Sequence, residues 1–263
     1  TALVRLSQRA PRFTAVLPVV AAFVVACIVF AAARHGLVEA PLRTLLAPLA
    51  VLLPGALLVT AMAELVTGHM VAGTSRLGYG LVQVLLFTLG ILGAARLLPL
   101  ASADLANVRI NDIGWYAAPL GLVLVTLAIA LLESPPPRLV PWIFVVLVLA
   151  FGAQVAGQAL GGAVGGAFLG ALVAILGSYA VESVVPRLAR LVVFLPSFWL
   201  LVPGSLGVLA ATQVAVDPTA DADVLGVVGI VAAIALGLLL GAAIAQGLGG
   251  IVRRRSVAGR AGD

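Results

Sequence analysis

Long apolar runs separated by short polar segments set the pattern of this sequence. Each run holds roughly 20 or more mostly apolar residues, the length that an α-helix needs to cross a bilayer. The runs lie at residues 14–33, 44–66, 70–98, 114–132, 139–157, 161–180, 187–216 and 224–251. Because lipid cannot hydrogen-bond free backbone groups, each run is expected to form a helix. The pattern therefore predicts an all-α membrane protein with about eight transmembrane helices.

The composition agrees with this fold class and excludes several kinds of chemistry. Of the 263 residues, 63% are hydrophobic and 10% are charged, whereas a soluble domain carries about a quarter charged residues. All 15 basic residues are arginine, which excludes Walker-A phosphate loops and Schiff bases because both need lysine. Cys27 has no second cysteine to pair with, and His35 and His69 match no metal-ligand spacing. We expect no metal, no other cofactor and no nucleic-acid partner.

The placement of the arginines predicts how the chain is oriented in the membrane. Ten of them fall on the face that holds the amino terminus: Arg5, Arg9, Arg12, Arg138, Arg187, Arg190, Arg253, Arg254, Arg255 and Arg260. Four fall on the opposite face. The positive-inside rule then places both termini in the cytoplasm. The sequence thus predicts a multi-pass protein of the cytoplasmic (inner) membrane, with the lipid bilayer as a partner.

A shift of 149 residues predicts an internal repeat. Adding 149 to the positions of Pro54 and Gly55 gives Pro203 and Gly204. The same shift moves the apolar run before and the run after the first interrupted run onto the runs before and after the second. Runs one to three thus match runs six to eight, while runs four and five have no partner. Two inverted repeats of five helices explain this pattern if two further helices precede Thr1 or come from another chain. Chance similarity between apolar segments is the alternative.

The predicted organisation has four parts along the chain. Residues 1–100 form the last three helices of the first transmembrane repeat, and residues 101–113 form a polar loop. Residues 114–251 form the second repeat with five helices. Residues 252–263 form a basic tail that the charge distribution places in the cytoplasm.

A Pro-Gly pair interrupts two of the predicted helices near their middle. Proline removes a backbone hydrogen bond and glycine lets the backbone open, so each helix is expected to divide into two halves. The predicted halves are 44–53 and 55–66 around Pro54 and Gly55, and 187–202 and 204–216 around Pro203 and Gly204. Matched interruptions in two repeats indicate a substrate site halfway across the membrane. A packing kink is the alternative for either pair alone.

Three further polar residues are candidates for the substrate pathway. Ser205 could bind a substrate carboxylate together with half-helix amides, or it could cap the half-helix. Gln154 and Gln158 lie one turn apart and either line the pathway or hydrogen-bond a neighbouring helix. Glycines at a spacing of four residues predict a face of close helix packing nearby. These are Gly161, Gly165, Gly162, Gly166 and Gly170.

The segment after the first Pro-Gly pair carries a family resemblance. Residues 54–77 read PGALLVTAMAELVTGHMVAGTSRL and resemble the signature of the threonine/serine exporter family. The matching positions are Pro54, Gly55, Ala61, Leu65, Gly68, Gly73, Arg76 and Leu77. Residues 201–207 resemble the signature of the family's second half. The sequence departs from the signature at Thr60, Glu64, Thr67 and His69, where the family has asparagine, aspartate, serine and aspartate.

This resemblance has implications for fold and function. It implies ten membrane helices in two five-helix halves, with both halves represented here and the family's cytoplasmic amino-terminal domain lacking. It implies export of small hydroxylated amino acids driven by the proton-motive force. The replacement of an amide by Thr60 affects the position that would hold a zwitterionic substrate.

Glu64 is the main candidate for coupling transport to protons. It follows Thr60 by four residues, so both side chains lie on one helix face below the Pro54-Gly55 break. A carboxylate inside a bilayer must be protonated, paired or in contact with water, and Arg76 is its expected partner. Such a pair could bind and release a proton, or it could consist of solvated charges at the cytoplasmic interface. His69 titrates in the useful pH range, with a structural role in a turn as its alternative.

The sequence therefore predicts a secondary transporter that exports small amino acids such as threonine or serine, with protons as the coupling ion. A membrane-embedded enzyme is not expected, since no HExxH, Gly-x-Ser-x-Gly or paired intramembrane aspartate motif is found. The alternative from another class is a scaffold subunit of a larger complex that transports nothing itself.

Overall fold

The protein is helical wherever the structure describes it. The computed structural model describes residues 16–99, 114–185, 191–201, 208–212, 215 and 224–260. The α-helices are α1 (Leu17–Arg34), α2 (Pro41–Thr44), α3 (Leu46–Leu49), α4 (Gly55–Val66), α5 (Met70–Leu97), α6 (Ala117–Glu133), α7 (Val140–Val184), α8 (Leu191–Leu201) and α9 (Val224–Arg260). Short 3₁₀ turns cover Ala50–Leu52 and Pro137–Leu139. No strand occurs within the described ranges.

Four helical segments are long and apolar enough to cross a membrane within these described residues. They are Leu17–Arg34, Met70–Leu97, Pro137–Val184 and Leu225–Gly247. Shorter apolar helices occupy Gly55–Val66, Ala117–Glu133 and Val192–Leu201. These lengths and compositions confirm the predicted class, an all-α membrane protein.

The longest helix, α7, contains two predicted membrane crossings. Its 45 residues would extend about 67 Å as one straight rod, more than twice the thickness of the hydrocarbon core. The backbone leaves helical geometry at Gly161 (φ −142°, ψ 27°) and at Gly162 (φ 61°, ψ −156°). Gly157 then packs on Gly165, and Val146 on Gly177, so residues 140–160 and 163–184 run antiparallel. We call these two arms α7a and α7b; they correspond to runs 139–157 and 161–180.

The predicted glycine face of α7 has two different functions in the structure. Gly165, Gly166 and Gly170 lie in the seam between the arms, as predicted for close packing. The prediction was wrong for Gly161 and Gly162, which form the reversal instead. The positive φ at Gly162 is the physical reason, since a residue with a side chain rarely adopts it.

The Pro54-Gly55 interruption is present, but the segment before it is not the single half-helix predicted at 44–53. Leu53 is extended (φ −67°, ψ 139°), and α4 begins directly after Pro54. Before the break the chain forms α2, α3 and the 3₁₀ turn. Pro48 explains this division: it lacks an N–H, and its ring clashes with the carbonyl of residue i−4, which is Thr44, the last residue of α2.

The described helices belong to two compact units. Unit 1 comprises residues 1–112 and 202–228, and unit 2 comprises residues 113–201 and 229–263. The described residues of the later range, 208–212, 215 and 224–228, thus group with unit 1, although they lie inside the predicted second repeat. The division into repeats at 1–100 and 114–251 stays a prediction.

Unit 1 is organised around α5. Helix α4 runs antiparallel to α5, since Gly73 packs on Leu65 and Gly80 packs on Leu58. Helix α1 runs parallel to α5, and the backbone of Gly90 lies directly against α1. Glycine is required there, because a Cβ atom at this position would overlap the carbonyl oxygen of Val19.

Unit 2 is organised around the α7 hairpin. Its buried core contains residues of α6, α7 and α8: Leu122, Ile129, Ile143, Val146, Leu147, Val181 and Val193. Helix α9 runs parallel to α7b, with Gly237 against Phe168 and Gly241 against Leu172. Close glycine contacts of this kind are typical of packing between membrane helices, where small residues let backbones approach.

Candidate functional site

A tight turn joins α4 to α5 and brings Glu64 and Arg76 together. The amide of His69 donates to the carbonyl of Glu64 at 2.8 Å, and the amide of Gly68 donates to Leu65 at 3.2 Å. With φ of +86° at Gly68, these bonds form a Schellman motif, the commonest way to end a helix. The chain reverses within three residues, so α5 returns alongside α4.

The reversal pairs Glu64 with Arg76. The Nη1 atom of Arg76 donates a hydrogen bond to Oε1 of Glu64 and forms an ion pair with it. The Arg76 side chain is 44% exposed and that of Glu64 is 23% exposed. The second oxygen of Glu64, Oε2, is buried, and no described residue gives it a hydrogen bond. Leaving a buried charged oxygen without a hydrogen bond is costly.

Three polar residues lie close to this pair in the sequence, namely Thr60, Thr67 and His69. The Thr67 hydroxyl lies 2.9 Å from the carbonyl of Ala63 and 3.0 Å from Nδ1 of His69. If the hydroxyl donates to the carbonyl, His69 carries its proton on Nδ1 and donates it to Thr67. Thr60 is exposed one turn before Glu64, and its hydroxyl donates to the carbonyl of Ala56 at 2.8 Å. The structure thus places all the predicted proton-coupling residues in one hairpin.

The length of α5 indicates the depth of this hairpin in a membrane. Arg76 and Arg96 bracket residues 77–95, which contain no charged residue. These 19 residues rise about 28 Å, close to the roughly 30 Å thickness of the hydrocarbon core. Each arginine therefore lies near one edge of the core, and the Glu64–Arg76 pair lies near the same edge as Arg76.

The Pro54-Gly55 break lies deeper than the ion pair. Gly55 precedes Glu64 by nine residues, which is about 14 Å of helix or half the hydrocarbon thickness. The first bond of α4 runs from the amide of Leu58 to the carbonyl of Pro54 at 3.0 Å, and no side chain caps this helix end. Backbone amides are thus presented near the middle of the span, as expected for a helix interrupted at a substrate site.

Sequence reasoning missed Gln83, a polar residue at the level of this break. The contacts of Gly73 and Gly80 set the register between α4 and α5, and this register places Gln83 opposite Gly55. Gln83 is half-buried, and no described residue hydrogen-bonds its amide. The sequence contains a signal for Gln83, because a side-chain amide near the centre of an apolar run is costly without a hydrogen-bond partner.

Gln154 and Gln158 lie in the seam of the α7 hairpin. The backbone carbonyl of Gln154 and the side chain of Gln158 both contact the position of Gly166. Gln154 is half-buried and Gln158 is exposed, close to the Gly161-Gly162 reversal. Both residues thus lie beside the second arm of the hairpin, and both of their predicted roles stay predictions.

The second Pro-Gly pair lies outside the described residues. Pro203, Gly204 and Ser205 fall in the range 202–207, so their predicted half-helix break and substrate contacts stay predictions. Leu225, which the 149-residue shift places at the position of Arg76, is 85% exposed at the start of α9. Within the described part of the chain, no cluster of His, Cys, Asp or Glu could hold a metal ion.

Comparison with protein families bears on the hairpin directly. Residues 1–98 match the family model described as "Putative threonine/serine exporter". The match covers 98 of the 263 residues, and this part of the chain is similar to that exporter family. The match covers α1 to α5 and so includes the break, the turn and the ion pair. No curated protein and no solved structure matches the chain.

The matched segment, residues 1–98, therefore contains most of the residues that the sequence analysis proposed for function. It holds an opened helix at mid-depth and a carboxylate paired with a guanidinium near one membrane edge. Such an arrangement can offer hydrogen-bond donors to a solute and can exchange a proton.

Proposed function

We propose that this protein is a secondary transporter that exports small amino acids such as threonine or serine, coupled to the proton gradient. It acts in the cytoplasmic (inner) membrane with both termini in the cytoplasm. The observation that carries this proposal is the Glu64–Arg76 ion pair, which lies within the segment that matches the exporter family.

Glu64 is the proton carrier in this proposal. An ionisable residue within a membrane helix is costly to retain, so its presence there favours a functional role. The buried Oε2 atom supports it, because a proton on this oxygen removes the charge from an atom that no described residue stabilises. Arg76 stabilises the ionised form of Glu64 through their ion pair. His69 lies in the turn of the same hairpin, against Thr67, and is proposed to pass protons between the pair and the cytoplasm.

The substrate is held at the interrupted helices. Amides of α4 after Pro54 and Gly55 are positioned to bind the carboxylate of an amino acid, as helix N-termini bind anions. Thr60 faces the pathway one turn before Glu64, and Gln83 adds an amide at the level of the break. The second repeat is proposed to contribute Pro203, Gly204 and Ser205, with Gln154 and Gln158 along the pathway. Two further helices, from a preceding segment or another chain, complete the first repeat.

Counterflow of labelled threonine in proteoliposomes tests this function. The full chain should exchange threonine, and an imposed inward proton gradient should drive outward threonine movement. Glu64→Gln should abolish the dependence on the proton gradient, so that whatever exchange remains is the same with and without the gradient. Glu39→Gln, which changes an exposed carboxylate outside the hairpin, is the matched control and should behave as the original protein.

The outcomes separate the candidates clearly. A scaffold subunit would exchange no threonine under any condition. Unchanged proton coupling in Glu64→Gln would remove this residue from the mechanism while leaving the export activity in place.

A further inference from the structure

The Glu64–Arg76 pair leaves hydrogen-bonding capacity on both side chains. Arg76 uses one nitrogen, Nη1, for Glu64, and no other hydrogen bond to its guanidinium comes from a described residue. A guanidinium has five N–H donors in a planar fork that fits a carboxylate. On Glu64, Oε2 is buried, so only Oε1 can face an approaching solute. The two accessible groups therefore offer one positive and one negative charge side by side.

We propose that this ion pair is itself a loading site for the zwitterionic amino acid, in which the substrate and the proton compete for Glu64. The proposal rests on the export activity proposed above and names how that activity recognises its substrate. The substrate carboxylate binds the remaining N–H groups of Arg76, and its ammonium binds Oε1 of Glu64. From this site near the membrane edge, the amino acid moves about 14 Å to the Pro54-Gly55 break.

The charges of a zwitterion match this pair closely. An α-amino acid carries its ammonium and carboxylate on one carbon, so each can reach a partner when the two partners are adjacent. A compound that lacks either charge would leave one protein charge without its partner at a partly buried site. Sites of this kind discriminate strongly against such compounds, because the unmatched group loses its solvation without compensation.

The direction of coupling favours the contact between the ammonium and Glu64. A proton on Oε2 neutralises the carboxyl group, which then no longer attracts an ammonium. Binding of the amino acid therefore expels the proton, and binding of the proton expels the amino acid. This exchange lets an inward proton gradient drive an outward flow of amino acid.

A carboxylate contact to Arg76 alone would give the opposite direction. Protonation of Glu64 would then release Arg76 from its ion pair and strengthen substrate binding. The proton and the substrate would travel together, and an inward gradient would drive uptake instead of export. The export that the family description names thus agrees with the competing arrangement.

Few other charged or titratable groups face Glu64 within the described residues. On its own side of the hairpin, His69 contacts Thr67 in the turn. On α5, which packs against α4, Arg76 is its direct partner, and Tyr79 is 59% exposed one turn further along. Arg96 lies at the opposite end of α5. A pH dependence in this hairpin is therefore assigned to Glu64, with His69 as the group to control for.

Binding of labelled threonine to the purified full chain tests the proposal directly. Threonine amide lacks the carboxylate charge, and 2,3-dihydroxybutanoic acid lacks the ammonium; each should compete about 10- to 100-fold more weakly than threonine. In weakly buffered acidic solution, threonine binding should release protons. Glu64→Gln should abolish this release, Glu64→Asp should retain it, and His69→Gln should retain it as well.

Arg76→Lys provides the test of the second contact. It keeps the positive charge but loses the planar fork, so threonine affinity should fall while proton release remains. Arg96→Lys at the other end of α5 is its matched control and should leave both quantities unchanged.

Two results would overturn the proposal, and they are distinct from failure of the export activity. If threonine amide or 2,3-dihydroxybutanoic acid competes as strongly as threonine itself, the site does not recognise the charge that this compound lacks. Proton release that persists in Glu64→Gln would place the competition elsewhere. Either result combined with proton-driven threonine counterflow would leave the exporter intact, whereas a chain that neither binds nor exchanges threonine would overturn both proposals.

Discussion

One helix contact occurs in both units with almost the same atoms. In unit 1, a Cβ atom on Gly90 would meet the carbonyl of Val19, the Cβ of Ala22 and the amide of Phe23. In unit 2, a Cβ atom on Gly237 would meet the carbonyl of Phe168, the Cβ of Ala171 and the amide of Leu172. The contacted residues of the two sets lie 149 positions apart, which is the shift between the Pro-Gly pairs, whereas the two glycines lie 147 positions apart. The internal repeat itself stays a prediction.

The two helices that share this glycine contact, α5 and α9, differ in charge near their first turns. Helix α5 carries Arg76 early in its length and pairs it with Glu64, while the corresponding helix α9 has the exposed Leu225. Helix packing through glycine thus occurs in both helices, whereas Arg76 with its partner Glu64 has no equivalent at Leu225. In the predicted repeat, the proposed proton chemistry would belong to one copy, because helix packing and charge depend on different residues.

The largest expected effect concerns this charge difference. Arg76→Leu should reduce threonine exchange by about 100-fold or more, because it removes the guanidinium proposed to bind the substrate carboxylate. Its effect on stability should be no more than about 1 kcal/mol, since Arg76 is nearly half exposed. Exchange in proteoliposomes and thermal unfolding in detergent measure the two quantities. Leu225→Ala, at the corresponding position, should leave exchange unchanged; equal losses in both variants would contradict the asymmetry.

The shared glycine contact should be equally sensitive in both units. Gly90→Leu and Gly237→Leu should each lower the free energy of unfolding by about 1–3 kcal/mol, since the new side chain must displace a backbone. Gly78→Leu is the control on α5, because nothing lies within 4 Å of its Cβ position. Thermal unfolding of the three variants checks this. A loss at Gly90 without one at Gly237 would show that the two contacts are not equivalent.

The two glycine reversals allow a smaller comparison. Gly68 joins α4 to α5 with φ of +86°, and Gly162 joins α7a to α7b with φ of +61°. Alanine at either position should lower the free energy of unfolding by roughly 1 kcal/mol, because a side chain is strained at positive φ. The expected difference is functional: Gly68→Ala should also reduce threonine exchange, since its turn positions the ion pair. Equal exchange in the two variants would weaken the link between the turn and transport.

The smallest expected effect is at Gln83. Gln83→Leu should reduce threonine exchange about 2- to 10-fold, the equivalent of one neutral hydrogen bond. Stability should be maintained or improved, because an apolar side chain suits the middle of a membrane span. Gln154→Leu in the α7 seam is the comparison in unit 2. Unchanged exchange in Gln83→Leu would place the substrate away from this side of α5.

Some features of this molecule could be predicted from its sequence, and others could not. The interruption at Pro54 was predictable, since proline lacks the N–H that a continuous helix needs. Glu64 and Arg76 were predictable as partners, because few charged residues occur within the apolar runs. The division of 44–53 by Pro48 was missed although the same rule applies there. The register that places Gln83 opposite Gly55 could not be predicted, because it depends on glycines of one helix meeting leucines of another.

The sequence by itself determined that this protein is surrounded by lipid, and it determined the number of its apolar segments. Both properties follow from the composition and from the length of the apolar runs, because each residue contributes separately to the free-energy cost of exposing polar groups to lipid. Only the tertiary structure decided that α7 reverses at Gly162. It also decided that one carboxylate oxygen of Glu64 accepts a hydrogen bond from Arg76 while the other oxygen is buried. These features depend on packing between segments far apart in the chain, where a backbone approach of a few ångströms selects one arrangement among many similar apolar surfaces.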